Sequence, residues 1–272
     1  MAELVVRRLL VDLAAPFPRR WCGDDAFLSA FFNALSMSFP VGEQFFIDSV
    51  REGAKHLPED LRTAMEREIR GFVGQEATHR RIHQLFNQQL EQQGLRDFWS
   101  PRALERMKRL EGVDARHTVG VTAATEHLTA IFADWLLAHP QVLQGAEPRL
   151  ATLWMWHAAE ESEHRATAFD LYRALGGDHR WRCRYMRVVS FNFMLDLTRQ
   201  TLSNLRRDGA LWSFATWRSA ARWLFGREGL LRVVWGPWRS YFRAGFHPLQ
   251  ADGSSSQRWL ADHAASFALV ER

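Results

Sequence analysis

The sequence predicts an all-α protein: a four-helix bundle with a long crossover between its second and third helices, followed by a C-terminal helical extension. Two observations carry this. Apolar residues recur at three- and four-residue spacing along nearly the whole chain, and strand-like alternation is scarce. One chemical pattern also occurs twice: Glu43 is followed 33 residues later by Glu76-Ala-Thr-His79, and Glu126 is followed 35 residues later by Glu161-Ser-Glu-His164. A lone Glu on one helix, then Glu-x-x-His on the next, given twice, is how a helical bundle builds a two-metal carboxylate site.

The first helix is expected from about Asp24 to Lys55, interrupted near Pro40, which cannot donate an intrahelical bond. The second runs from about Glu59 to Gln92, opened by Pro58 with Glu59 and Asp60 and stopped by Gly94. A third spans about Asp114 to His139 before Pro140, and a fourth about Pro148 to Leu175 before Gly176-Gly177. At about 1.5 Å of rise per residue, a 33-residue gap runs roughly 24 Å out, through a turn and back. Glu43 and Glu76 therefore come level on antiparallel neighbours, as do Glu126 and Glu161. The 50 residues from Glu76 to Glu126, with Pro101 and Gly112 inside, supply the crossover that a ferritin-like four-helix bundle requires. Residues 1–179 are expected to form this bundle. Residues 180–272 read as an extension packed on it rather than an independent domain, with helices over about 180–208, 209–226 and 228–244 and a Gly-Ser-rich turn from Asp252 to Ser256.

Composition bounds the setting. No stretch reaches the roughly 18 apolar residues of a membrane span, and Glu3, Arg7, Arg8 and Asp12 interrupt any signal-peptide core. Cys22 and Cys183 are too few for a disulfide framework and lack metal-ligand spacing, so a reducing cytoplasm is expected. The net charge of +4 is uneven. Between Arg180 and Arg243 stand 13 Arg against Asp196, Asp208 and Glu228.

Glu76 and His79 lie three apart and share a helix face, as do Glu161 and His164. Their neighbours at helical spacing are apolar or small: Phe72 and Val73 by the first pair, Trp154 and Ala168 around the second. Glu126 stands in a stripe of Val119, Ala123, Ala130 and Ala133, and Glu43 in one of Phe39, Phe46, Ile47 and Val50. An ionised carboxylate on an apolar face is costly unless paired or metal-bound, and Lys55 and Lys108 are the only lysines. Four carboxylates balance two divalent ions. Oxygen-rich ligation with imidazole suits two iron ions, or manganese, better than structural zinc. The bland alternative, solvated Glu and His on helix surfaces, fits one Glu-x-x-His but not two matched copies.

The expected ligands are Glu43, Glu76, His79, Glu126, Glu161 and His164, with Glu76 and Glu161 bridging. His157, four before Glu161 and seven before His164, is a seventh candidate, assigned to the second ion. His83 and Glu160 are expected behind the ligands, Glu160 orienting an imidazole. His127 points about 100° away from Glu126 and is not expected to bind; Glu163 is expected to meet solvent or arginine.

The segments Ser38-Phe-Pro-Val-Gly-Glu43, Gly74-Gln-Glu-Ala-Thr-His79 and Trp156-His-Ala-Ala-Glu-Glu-Ser-Glu-His164, with Phe246-His-Pro248, resemble the bacterial family catalogued as "predicted metal-dependent hydrolase". The resemblance spans nearly the whole chain and by its name implies hydrolysis. The spacing His157-x-x-x-Glu161-x-x-His164 is similar to the extra-histidine helix of the diiron arylamine N-oxygenases, a likeness limited to ligand spacing.

The favoured expectation is a non-haem diiron oxygenase that uses O2 and an electron donor to oxidise a small organic substrate. One alternative is a dinuclear hydrolase, in which the metals acidify a bridging water; the lack of an additional Asp-rich motif speaks against it. Another is non-catalytic iron binding, against which the long extension argues. Tyr172, Tyr185 and Tyr241 have no spacing suited to a radical role. Residues 180–244 hold six of the twelve Trp, interleaved with Arg. They read as a cap with solvated Arg heads, as a lid or tunnel for a hydrophobic or anionic substrate, or as a peripheral membrane contact. No nucleic-acid recognition motif is present.

Overall fold

The computed structural model describes residues 4–270, and helix dominates them. Asp25 starts α1 (Ala26–Lys55) by accepting the Leu28 amide at 3.0 Å. α2 (Glu59–Gln92) opens with two acids against its positive N-terminal dipole, and Gly94 follows it in the left-handed region at φ +84°. The crossover contains a short α3 (Trp99–Lys108), which sequence periodicity did not single out. α4 (Ala115–Ala138) is capped by Asp114, and α5 (Pro148–His164) by Glu147 with Pro148 in its first turn. Then come α6 (Thr167–Ala174), α7 (His179–Arg207), α8 (Phe214–Phe225), α9 (Leu230–Ser240) and α10 (Ser254–Asp262). The hairpins α1–α2 and α4–α5 pack together as the bundle. α7 lies along α1 and α4, α9 against α4, α8 against α1 and α9, and α10 on α5.

Three expectations need correction, and one small feature adds to the all-α fold. α1 runs unbroken through Pro40. The proline leaves the Ser36 carbonyl without its helical donor, and Asn87 Nδ2 on α2 donates to that oxygen instead, at 3.0 Å. The fourth bundle helix is broken at Arg165–Ala166, straight after His164. There Arg165 Nε donates to the Ser162 carbonyl at 2.9 Å while its guanidinium grips Asp134, so the side chain takes an acceptor from the helix ladder. The Gly-Ser segment leads into α10 instead of forming only a turn. Finally, β1 (Arg7–Leu9) and β2 (Phe267–Leu269) pair antiparallel, Arg7 opposite Leu269. A two-strand, three-residue ladder leaves almost no alternation signal.

The core falls into two apolar clusters along the bundle axis. One holds Phe32, Phe39, Phe86, Trp154 and Trp156. The other holds Phe46, Phe72, Val119, Phe169 and Tyr172. Between Phe39 and Phe46 lies Glu43, and the other repeated carboxylates fall at the same level. Among the described residues no helix is long and apolar enough to cross a membrane.

Candidate metal centre

Each bundle helix brings its share to that level: Glu43 from α1, Glu76 and His79 from α2, Glu126 from α4, and His157, Glu161 and His164 from α5. All seven are buried, none more than 6% exposed. His164 Nε2 lies 3.1 Å from Glu76 Oε1, 3.3 Å from Glu126 Oε2 and 3.5 Å from Glu161 Oε2. His79 Nδ1 lies 3.5 Å from Glu161 Oε1 and 4.0 Å from Glu76 Oε1. His157 Nε2 lies 2.9 Å from Glu161 Oε1 and 3.7 Å from Glu43 Oε1. Glu161 therefore faces all three imidazoles, and Glu76 faces two.

Donor atoms on one ion with bonds near 2.1 Å sit roughly 3 Å apart, so these separations suit shared ligation. The four carboxylates have only histidines as ionic partners among the described residues. Both oxygens of Glu43, Glu76 and Glu126, with Glu161 Oε2, His79 Nδ1 and His164 Nε2, are buried without a hydrogen bond. Orphaned buried acceptors are costly, and a pair of divalent cations would satisfy them together. The residues fit the group.

Electrostatics says the same. Burial first, then neighbouring carboxylates, pushes Glu43 well above the ordinary carboxylate range. Burial likewise raises Glu76, and it raises Glu126 to about 8 although His164 opposes it. Burial disfavours the His79 cation, but its hydrogen bond to Glu160 and the facing carboxylates of Glu161 and Glu76 outweigh it and lift the ring to about 10. Burial and the nearby His79 lower His157 to about 4. Burial also disfavours the His164 cation, yet Glu161 and Glu126 hold it well above the ordinary imidazole range, so protons on the rings and carboxylates supply the balancing charge that bound cations would replace.

Behind each imidazole stands a partner for its outer nitrogen. His79 Nε2 donates to Glu160 Oε2 at 2.9 Å. His164 Nδ1 donates to Gln75 Oε1 at 3.0 Å. His157 Nδ1 meets His83 Nε2 at 2.7 Å. Such contacts fix which nitrogen is bare for a metal. For His157 a chain of hydrogen bonds assigns the tautomer. Asn87 is oriented by donating to the carbonyl that Pro40 frees, so its Oδ1 accepts from the Ser36 hydroxyl at 2.7 Å. Ser36 Oγ must then accept from His83 Nδ1–H at 2.8 Å, and His83 Nε2 accepts from His157 Nδ1–H. With Nδ1 so occupied, Nε2 is the nitrogen His157 offers to the centre; it bonds Glu161 Oε1 at 2.9 Å, a contact that a cation would take over. His83 uses both nitrogens this way and, held neutral by burial, stands behind the ligand set.

The spacing on α5 assigns His157 to the second ion with His164; the structure sets it instead beside Glu43 and His79, its ring centroid 4.2 Å from that of His79. Two helical turns, about 10 Å, separate His157 from His164 along the axis, too far to share one ion. Glu160 orients an imidazole, and the ring is His79 on α2. Glu163 meets arginine: Arg7 Nη1 bonds it at 2.7 Å and also bonds Glu160 at 3.0 Å. His127 turns away and donates to the Pro237 carbonyl at 3.2 Å.

Gln75, Ser36, Asn87 and Arg7 escaped the sequence reading. Ser36, seven before Glu43, and Asn87, eight after His79, lie on the ligand faces of their helices, and that periodicity was the available signal. Gln75 and Arg7 gave none, because their contacts come from α5 and β1. Arg7 grips both Glu160 and Glu163, and Gln75 Nε2 donates to Glu163 at 2.9 Å and to the Val5 carbonyl at 3.0 Å. The N-terminal strand thus anchors the supports of His79 and His164.

A helical bundle enclosing four carboxylates and three imidazoles, bare nitrogens turned toward shared oxygens, defines a protein with a buried site able to hold metal. The chain belongs to the family described as predicted metal-dependent hydrolases, whose model matches residues 5–252. That description supports the hydrolytic alternative better than the oxygenase. No curated protein and no solved structure matches the chain.

Proposed function

We propose that this protein is a dinuclear metal enzyme that oxidises a small organic substrate with O2, its two iron ions held by Glu43, Glu76, His79, Glu126, His157, Glu161 and His164. The observation that carries this reading is the buried, oxygen-rich donor set adjoining an apolar cavity. When bound there, two ferrous ions would supply what no side chain here can, the reduction of dioxygen. Glu161 and Glu76, each facing more than one imidazole, are the bridging candidates. The bundle excludes bulk water. Glu160, Gln75 and His83 hold the three rings so that their bare nitrogens face inward. In the overall reaction one oxygen atom enters a C–H or N–H bond of the substrate. The other leaves as water, with two electrons from an external donor and two protons.

The hydrolytic reading has the family description behind it. It needs a substrate with a polar scissile group and a route for water. The cavity touching the centre has aromatic and aliphatic walls, and its Ser190 and Thr129 hydroxyls are already bonded. Polar substrates would lose hydrogen bonds there that the walls do not return.

The test loads the full chain anaerobically with Fe(II) and mixes it with oxygenated buffer in a stopped-flow spectrometer. A transient visible absorption band that depends on both metal and oxygen is expected. Turnover of model esters or phosphoesters without oxygen, by the zinc or manganese form, with no oxygen-dependent band, would replace the oxidative reading with the hydrolytic one.

A further inference from the structure

Beside the metal centre lies a cavity of about 410 Å³, a size typical of small-molecule sites, which run ~300–1,000 Å³. Its floor is the bundle: Phe39 of α1, Phe132 of α4, and Trp154 with Ala158 of α5. Its roof is the extension: Phe193 of α7, Leu224 of α8, and Leu231 and Trp238 of α9. Of the proposed ligands only His157 and Glu161 reach its wall, and Glu161 is the most exposed carboxylate of the set at 6%. Met194 and Trp235 also line it, yet are 41% and 57% exposed, which places its mouth between α7 and α9.

Charge decides what fits. Thirteen arginines stand between Arg180 and Arg243, and none of them lines the cavity; among the described residues Glu161 is its one acid. The Ser190 hydroxyl donates to Met186 Sδ at 3.3 Å and accepts from Trp238 Nε1 at 2.9 Å. The Thr129 hydroxyl donates to the Glu126 carbonyl at 2.9 Å. Apart from the proposed ligands, the one buried side-chain polar atom on the wall without a partner is Trp154 Nε1, a donor. A carboxylate, phosphate or ammonium group would enter this chamber with no counter-charge away from the metals, at heavy desolvation cost.

The geometry points to an uncharged, largely apolar substrate: a hydrocarbon-like chain or ring system of on the order of 15 carbon atoms, scaled from benzene filling a cavity of ~150 Å³. It enters between α7 and α9 and lies along the aromatic floor with its reacting end at His157 and Glu161. The extension is then the roof of a substrate chamber, with its arginines kept outside. This assignment rests on the metal-centre reading for which end reacts, though not for binding itself.

The test uses the full chain, loaded anaerobically with Fe(II), and a neutral solvatochromic dye such as Nile red, displaced by 1-dodecanol, dodecanoate or dodecylammonium. Saturable dye binding is expected, with dodecanol displacing at least about tenfold more tightly than either ion, a gap of ~1.4 kcal/mol. Leu231→Trp, at the roof, should weaken dodecanol at least about tenfold. Circular dichroism shows whether the variant folds. No saturable binding, equal displacement by the charged chains, or a folded Leu231→Trp variant that binds like wild type would each overturn the assignment. Metal content on the same samples separates the claims. Two ions with no dye binding sinks the chamber alone. Dye binding that follows these rules without metal leaves the chamber standing and sinks the metal reading.

Discussion

The two halves of the proposed metal centre start from nearly the same sequence pattern and end differently. On one side Glu43 and His79 are joined by His157, backed through His83 and Ser36 to Asn87. On the other Glu126 and His164 stand without a further imidazole, backed by Gln75, Glu163 and Arg7. Equal spacing along a helix sets equal height, not equal ligand fields. Two nitrogens face one position and one faces the other, with Glu76 and Glu161 shared. The richer side is also the one at the apolar chamber, since His157 lines it and His164 does not.

Removing the shared carboxylate tests this asymmetry most directly. Glu161→Ala should abolish both positions, dropping metal from about two ions per chain to near none, read by elemental analysis of anaerobically loaded protein; two ions retained would refute a shared role. Next, Glu126→Ala should cost the poorer side its ion and leave about one per chain, whereas His157→Ala keeps about two, because Glu43 and His79 still serve the richer side. Equal losses in the two variants would mean the halves are alike after all. Weaker effects come from behind the rings. His83→Phe and Gln75→Leu should each lower metal affinity about 10–100-fold, on opposite sides of the centre. Titration with Co(II) as a spectroscopic probe would show whether the two changes fall on one band or two. Smallest is Asn87→Leu, which leaves the Ser36 carbonyl unpaired beside Pro40 and should cost about 1–3 kcal/mol of metal-free stability in urea unfolding.

Away from the centre, His127 marks where the extension meets the bundle. Its ring lies 4.8 Å from that of Tyr241, and burial lowers it to about 4 from an ordinary value near 6.5. A base held neutral in the folded state gives stability that is present above pH 6.5 and is lost as pH falls toward 4. The loss should approach about 3 kcal/mol by pH 4, and His127→Phe should flatten that part of the stability curve.

Much of this fold was legible because helical patterns report themselves locally. The start of α2 at Pro58, its stop at Gly94 and the Asp114 cap of α4 are written within a few residues of where they act. Misreadings fell where a side chain from elsewhere intervened. Asn87 repairs α1 at Pro40, and Arg165 breaks the fourth bundle helix while holding Asp134. The short strands were invisible because each is stable only against the other.

That four carboxylates and two histidines reach one level of a bundle follows from their spacing along the chain, because rise per residue is a property of the helix and needs no partner. Which imidazoles share a position, which nitrogen of each turns inward, and that an uncharged chamber lies beside His157 emerge once the helices are packed. Those outcomes depend on how helices distant in sequence are turned toward one another, and rotation about a helix axis is set by packing.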